Sequence, residues 1–405
     1  MESIKGLKKV FTEGLGKSNI FFSMVWGASL LAYLDWIFIR LPIISSFAEY
    51  MLPLIFIVTF FILAKYLFRL YTINDLAFYF VCTIVFIACY GLGPQANAHY
   101  IKDYFPTFFW PVALYFFVGK GLRDNNIFRV FYWASIIYLL FFFISHFITN
   151  DISETFLEEN EAQGQAYSLV PHVLIVLWYT LKKFDILSLI FSIFGFLMLI
   201  SFGCRGAMLC ILVFAVLYIL LCTDFSKNKL WLVVILVAGV FLYANLTKIA
   251  IALQYLGGDI GVSTRIVDIF IDGEIADGTG RDTIQDALLS SIGDRFWGYG
   301  ICGDKVLTGL YAHNVYLEFL ISFGIFIGGA LCIALTVLLV KGFLSCPSRT
   351  NKGFYLVMLC CGFVHLLVSD TFLNQPHFFM LIGYASLMIY NKKHNVVILQ
   401  EEDLT

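Results

Sequence analysis

Apolar segments long enough to cross a bilayer recur along almost the whole chain, and nothing else in it limits the fold so strongly. A helix needs about 20 residues to traverse a hydrocarbon core of about 30 Å. Such segments run over Ile20–Ile39, Tyr50–Phe68, Leu76–Leu92, Phe105–Lys120, Ile127–Ile148 and Ala166–Leu181. They continue over Phe184–Gly203, Gly206–Cys222, Leu230–Ile251, Val315–Val340, Phe354–Val368 and Phe378–Tyr390. The composition agrees: 60% of residues are hydrophobic, 13% are charged and the mean hydropathy is +0.86. Soluble domains carry about a quarter charged residues. The expected fold is an all-α polytopic membrane protein with about 12 transmembrane helices. Residues 1–251 hold about nine spans, 252–312 form one large extracytoplasmic loop, and 313–405 hold about three more spans and a tail.

Orientation follows from basic residues, which collect on the cytoplasmic side. With a cytoplasmic amino terminus, the inner segments hold Lys5, Lys8, Lys9, Lys17, Lys65, Arg69, Lys120, Arg123 and Arg129. They also hold Lys182, Lys183, Lys227, Lys229, Lys341, Arg349, Lys352, Lys392 and Lys393, so 18 of the 26 Lys and Arg lie inside. Both termini are then cytoplasmic and the long loop is outside. The outer basic residues are Arg40, Lys102, Arg205, Lys248, Arg265, Arg281, Arg295 and Lys305, and five of these eight fall between 248 and 305. That excess runs against the charge rule. Either the outer face uses cations, or a long loop escapes the rule and is merely solvated. No cleavable leader is evident, because the first apolar block is long and lacks a small-residue cleavage pattern.

The polar interval from Gly257 to Ala312 carries the chemistry-bearing residues. Thr279 and Asp282 are spaced for a capping box, which predicts a helix through about Ile292 with Ile284, Leu288 and Ile292 on one face. Arg281 sits in its first turn, where a guanidinium and free backbone amides can meet one anion. It can equally pair with Asp277 or Asp282. Gly298-Tyr299-Gly300 reads as a tight turn returning the chain to the bilayer. His313 and Asn314 open the next apolar helix, with Glu318 five residues on. Histidine is suited to take a proton near neutral pH, and it is also a common interfacial or capping residue. Between two earlier spans, Arg205 and Gly206 form a second polar island in which a guanidinium fork can match two phosphate oxygens. Arg265 is a further cation with less context. Cys204 and Cys302 both face the oxidising side, which leaves a disulfide open. There is no nucleotide-binding glycine loop and no metal-ligand cluster, so no metal, other cofactor or nucleic acid is expected.

Taken in order, these pieces resemble the O-antigen ligase and O-antigen polymerase (Wzy) superfamily. The matching segments are Arg205-Gly206-Ala207, Thr279-Gly280-Arg281, Gly298-Tyr299-Gly300, His313-Asn314-Val315-Tyr316-Leu317 and Gly324-Ile325-Phe326-Ile327-Gly328. They cover residues 200 to 330. Cys204 stands where the family often has serine, and one extra residue precedes Gly328. The resemblance implies a metal-independent glycosyltransferase of the C type. It would act on undecaprenyl-diphosphate-linked oligosaccharide at the outer face of a bacterial inner membrane, among membrane lipids and beside a flippase and a chain-length regulator of the same pathway. It implies Arg205, Arg281 and His313 as catalytic residues, with Arg265, Asn314, Glu318 and Tyr299 at the substrate. The expected function is a surface-polysaccharide polymerase. A ligase that moves glycan onto lipid A core or another acceptor is the alternative. A lipid-linked oligosaccharide flippase is a third reading, disfavoured because transporters place their polar groups near the midplane of internally symmetric bundles.

Overall fold

The computed structural model describes residues 17–27, parts of 54–64, 71–108, 113–123, 126–148, 159–183, 185–202, 204–223 and 281–394. All regular structure among them is helical. The chain divides into two compact units, residues 1–131 with 279–405, and residues 132–278. The second unit takes part of the interval read as an outer loop, and the first takes the rest.

Four helices among the described residues are long and apolar enough to cross a membrane: Ile73–Leu92, Asn126–Ile144, Arg205–Cys222 and Val315–Leu344. They leave large apolar side chains such as Phe80, Ile84, Leu212 and Ile333 exposed. Such faces suit lipid, and the chain is a membrane-embedded helical protein. The span expected over 230–251 lies outside the described residues, as do most of 20–39 and part of 50–68.

In the first unit, α1 (Lys17–Trp26) is followed by α2 (Ile73–Leu92). The latter is opened by a capping box in which Thr72 N–H donates to Asp75 Oδ2 at 2.8 Å. Asp75 also meets Lys120 Nζ at 3.1 Å. Of the span expected over Phe105–Lys120, the structure describes a turn at Phe105–Thr107, which follows α3 (Gln95–Asp103), and α4 (Ala113–Gly121); residues 109–112 between them lie outside the described residues. α5 (Asn126–Ile148) runs on into the second unit.

That unit contains α6 (Glu159–Lys183), α7 (Ile186–Ser201) and α8 (Arg205–Cys222). Asp185 caps α7 by accepting from Ser188 N–H at 3.1 Å. His172 is tied to Ser135 at 3.1 Å and stacks on Tyr138 with ring centroids 4.1 Å apart. Ser135 and His172 thus satisfy one another between two helices, as apolar surroundings demand. Cys204 lies in this unit and Cys302 in the other.

The first unit resumes with α9 (Arg281–Ser291), α10 (Gly303–Thr308) and α11 (Val315–Leu344). It ends with α12 (Arg349–Met358), extended by a π-turn over Leu359–Val364, and α13 (Pro376–Lys393). α4 and α13 pack backbone to backbone: a Cβ on Gly119 would fall 2.1 Å from Met380 O, and one on Gly383 would fall 2.3 Å from Phe116 O. Small residues let membrane helices approach in this way.

The span expected as one helix from Val315 to Val340 is corrected by the structure. At Gly324 the backbone takes φ 75° and ψ 177°, open in practice only to glycine. In a straight helix Tyr316 and Thr336 would lie about 30 Å apart. Instead, their hydroxyls are 2.8 Å apart, and Cys332 Sγ–H donates to Tyr316 O at 3.6 Å. α11 is therefore a hairpin. A short arm, 315–323, rises only about 13 Å and is too short to cross a bilayer. A long arm, 325–344, rises about 30 Å and can.

Candidate functional site

The hairpin bend is held by the Gly-Tyr-Gly segment. Helix residues Ile321 and Ser322 lose their in-line amide donors at the break. Their carbonyls accept instead from Tyr299 N–H at 2.8 Å and Gly300 N–H at 3.0 Å, while Ile325 N–H donates to Phe296 O at 3.2 Å. The two backbones touch: a Cβ on Gly298 would fall 2.4 Å from Gly324 N, and one on Gly324 would fall 2.0 Å from Phe296 O. Gly298-Tyr299-Gly300 and the later glycine motif are therefore two sides of one junction. A broken helix in an apolar setting needs such partners for its freed groups.

On this junction rests the helix expected after Thr279. It begins at Arg281, and Ile284, Leu288 and Ile292 share one face as the spacing predicts. They pack with Ala312, Leu317, Ile321 and Tyr299, joining α9 to the short arm of α11. Thr279, and with it the proposed capping box, lies outside the described residues, as does Arg265.

That packing brings the start of α9 beside the start of α11. Arg281 donates from a guanidinium nitrogen to Val368 O at 2.8 Å, and its charge acts on both His313 and Tyr311. The His313 ring lies 4.2 Å from that of Tyr311, whose hydroxyl is hydrogen-bonded to Ser369. His313 Nδ1 is buried and has no protein partner. Burial, helped by the Arg281 charge, pushes the His313 pKa down to about 4. The ring is neutral at pH 7 and can accept a proton. Burial also raises the Tyr311 phenol and the Asp370 carboxyl.

Two backbone outliers meet here. His313 has φ 52° and Asp370 has φ 61°, left-handed conformations that Asp and His adopt more readily than most residues. Strain of this kind, about 1–3 kcal/mol per residue, persists where the surroundings impose it. Asp370 is fixed by Thr371 N–H, which donates to Oδ1 at 2.8 Å, and by the Asn374 side chain.

Three residues expected at the substrate have structural partners. Asn314 caps the short arm, its Oδ1 accepting from Tyr316 N–H at 3.0 Å and Leu317 N–H at 3.4 Å. Glu318, 3% exposed, accepts from the Thr371 hydroxyl and from Phe372 N–H at 3.2 Å. It therefore fastens the 368–372 segment, and with it Asp370 and the Val368 carbonyl. Tyr299 lies in the apolar cluster, its hydroxyl donating to Ser291 O at 3.1 Å with Arg295 5.0 Å from its ring. Arg205 opens α8 in the second unit.

Sequence reasoning missed Tyr311, Asp304 and the part played by Asp370. Asp304 is 1% exposed and accepts from Ala312 N–H at 2.8 Å, bracing the segment that ends in His313. Burial raises its carboxyl as well. A signal existed, because an acidic residue in a short apolar turn is rarely buried without a task. Among the described residues no cluster has the makings of a metal site. Compared with family models, with curated proteins and with solved structures, the chain matches none.

Proposed function

We propose that the chain is a surface-polysaccharide polymerase at the outer face of a bacterial inner membrane, with both termini cytoplasmic. It would move a growing glycan from undecaprenyl diphosphate onto a lipid-linked repeat unit. One observation carries this reading. Arg281 and a neutral His313 with an unpartnered ring nitrogen are brought together where two helices begin. Helix amino termini and a guanidinium suit an anionic leaving group, and a neutral imidazole suits a hydroxyl that must lose its proton.

In the proposed step the acceptor hydroxyl oxygen bonds to the anomeric carbon of the donor glycan, and its proton passes to His313. The bond from that carbon to the phosphate oxygen breaks, and its electron pair leaves on the diphosphate. Arg281 would balance the departing charge. The diphosphate is already an activated leaving group, so neither ATP nor a metal is needed. A bound diphosphate would also offset the Arg281 charge that depresses His313, making the ring a stronger base when donor is present.

The test is a glycan gel of the host lacking this gene, run beside its extracted polyprenyl-linked glycans. Single repeat units on the acceptor with the ladder gone support the polymerase. Bare acceptor with long chains stranded on the lipid carrier would make the protein a ligase instead. His313→Ala and Arg281→Ala should each abolish product while the protein inserts normally. A normal ladder from both variants would overturn the assignment.

A further inference from the structure

Beside Asp370 stands a group of side chains that the proposed step does not use. Tyr100 and Tyr104, four residues apart at the carboxyl end of α3, share one helix face. Lys305 Nζ lies 5.7 Å from the Tyr100 ring centre and 4.8 Å from that of Tyr104, within cation–π range of both. Tyr104 is in electrostatic reach of Asp304, Glu318 and Asp370, and Lys305 of Asp304 and Asp370. The group thus borders the same acidic wall as the His313 cluster.

Its position is fixed. Asn97, buried on α3, donates from Nδ2 to Tyr299 O and to Ile301 O, each at 2.8 Å. A Cβ on Gly300 would fall 3.1 Å from that same nitrogen. Through Asp304, the segment also holds Ala312, next to His313. Both tyrosines are only half-buried, so part of each ring stays open, and His99 and Asp103 are exposed on the same helix.

Half-buried aromatic rings beside the Lys305 ammonium and the exposed Asp103 carboxyl are the chemistry that recognises a sugar. The ring packs on the apolar C–H face of a pyranose, and the charged groups bond its hydroxyls. Two rings four residues apart, about 6 Å along the helix axis, are close to the step from one sugar to the next in an extended glycan. We infer that Tyr100, Tyr104 and Lys305 form a subsite for the terminal sugars of the acceptor glycan, and that it presents the acceptor hydroxyl to the His313 cluster. This inference rests on the glycan-transfer reading.

The probe is the oligosaccharide released by mild acid from the lipid-linked glycans of the deletion host. Lacking diphosphate, it reports on the acceptor side alone. Its binding to the purified full-length protein is measured by calorimetry and by saturation-transfer NMR. Wild type and Arg281→Ala should bind alike, Tyr104→Phe should keep binding, and a Tyr100→Ala/Tyr104→Ala double variant should lose about tenfold or more. Lys305→Glu, which leaves both rings in place, should weaken binding as well. Equal binding by the double variant and by Lys305→Glu would overturn the subsite, as would no binding by wild type. A normal glycan ladder in the deletion host would instead remove the transfer reading itself, so the two failures are distinguishable.

Discussion

His313 carries the sharpest consequence at the scale of single residues. Its pKa is depressed from the ordinary 6.5 to about 4 by burial first and by Arg281 second. Between those two values an unfolded chain takes up a proton that the folded site does not. Acidification from about pH 6.5 to 4 therefore costs stability. In NMR titrations of histidine-labelled protein, His313 should titrate near pH 4 and move upward in Arg281→Ala, which removes only the smaller cause. A midpoint near 6.5 in wild type would show that the ring is not held as described. Glu318 makes a different prediction. Glu318→Ala removes the acceptor for the Thr371 hydroxyl and Phe372 N–H, both buried, and should destabilise by about 1–3 kcal/mol per unsatisfied donor. Thermal melting checks the size, and a milder Glu318→Gln, which keeps an acceptor oxygen, checks the cause. Of these residues the sequence disclosed Arg281 and His313, whose types suit charge and proton transfer. It did not disclose Tyr311, because a tyrosine near the end of a loop looks like any other.

Among the elements, α11 departs most from what its sequence suggests. The apolar stretch Val315–Val340 reads as one span, yet residues 315–323 fold back along 325–344. Tyr316→Cys should join the native Cys332 through a short bifunctional thiol reagent, whereas a straight helix would hold the two positions about 24 Å apart. Absence of the crosslink in a folded protein would restore the single span. Gly324→Ala and Gly298→Ala should each lower the melting temperature sharply, since either methyl would enter backbone atoms of the other segment. The amphipathic face of α9 was legible, because Ile284, Leu288 and Ile292 recur at helical spacing and did find an apolar partner. Nothing local marks that partner as the short arm of α11, since hydrophobic spacing names a buried face without naming what covers it.

At the scale of the whole molecule, the proposed topology places Asp294 outside and Lys393 inside. Both are exposed. In intact spheroplasts a membrane-impermeant maleimide should label Asp294→Cys and leave Lys393→Cys unlabelled until the cells are opened. The reverse pattern would invert the orientation and take the His313 cluster to the cytoplasmic side. By itself, the sequence determined that this is a membrane-embedded helical protein, because apolar length and sparse charge settle that question before any packing occurs. It also determined which short motifs bear cations and a histidine. Only the tertiary structure decided that Gly298-Tyr299-Gly300 closes the break at Gly324, that Glu318 braces Thr371, and that Asp304 and Asp370 stand near the ring of Tyr104. These pairings join segments far apart in the chain. The first two are set by the need to satisfy a buried backbone or carboxylate group, and no residue spacing encodes where that satisfaction is found.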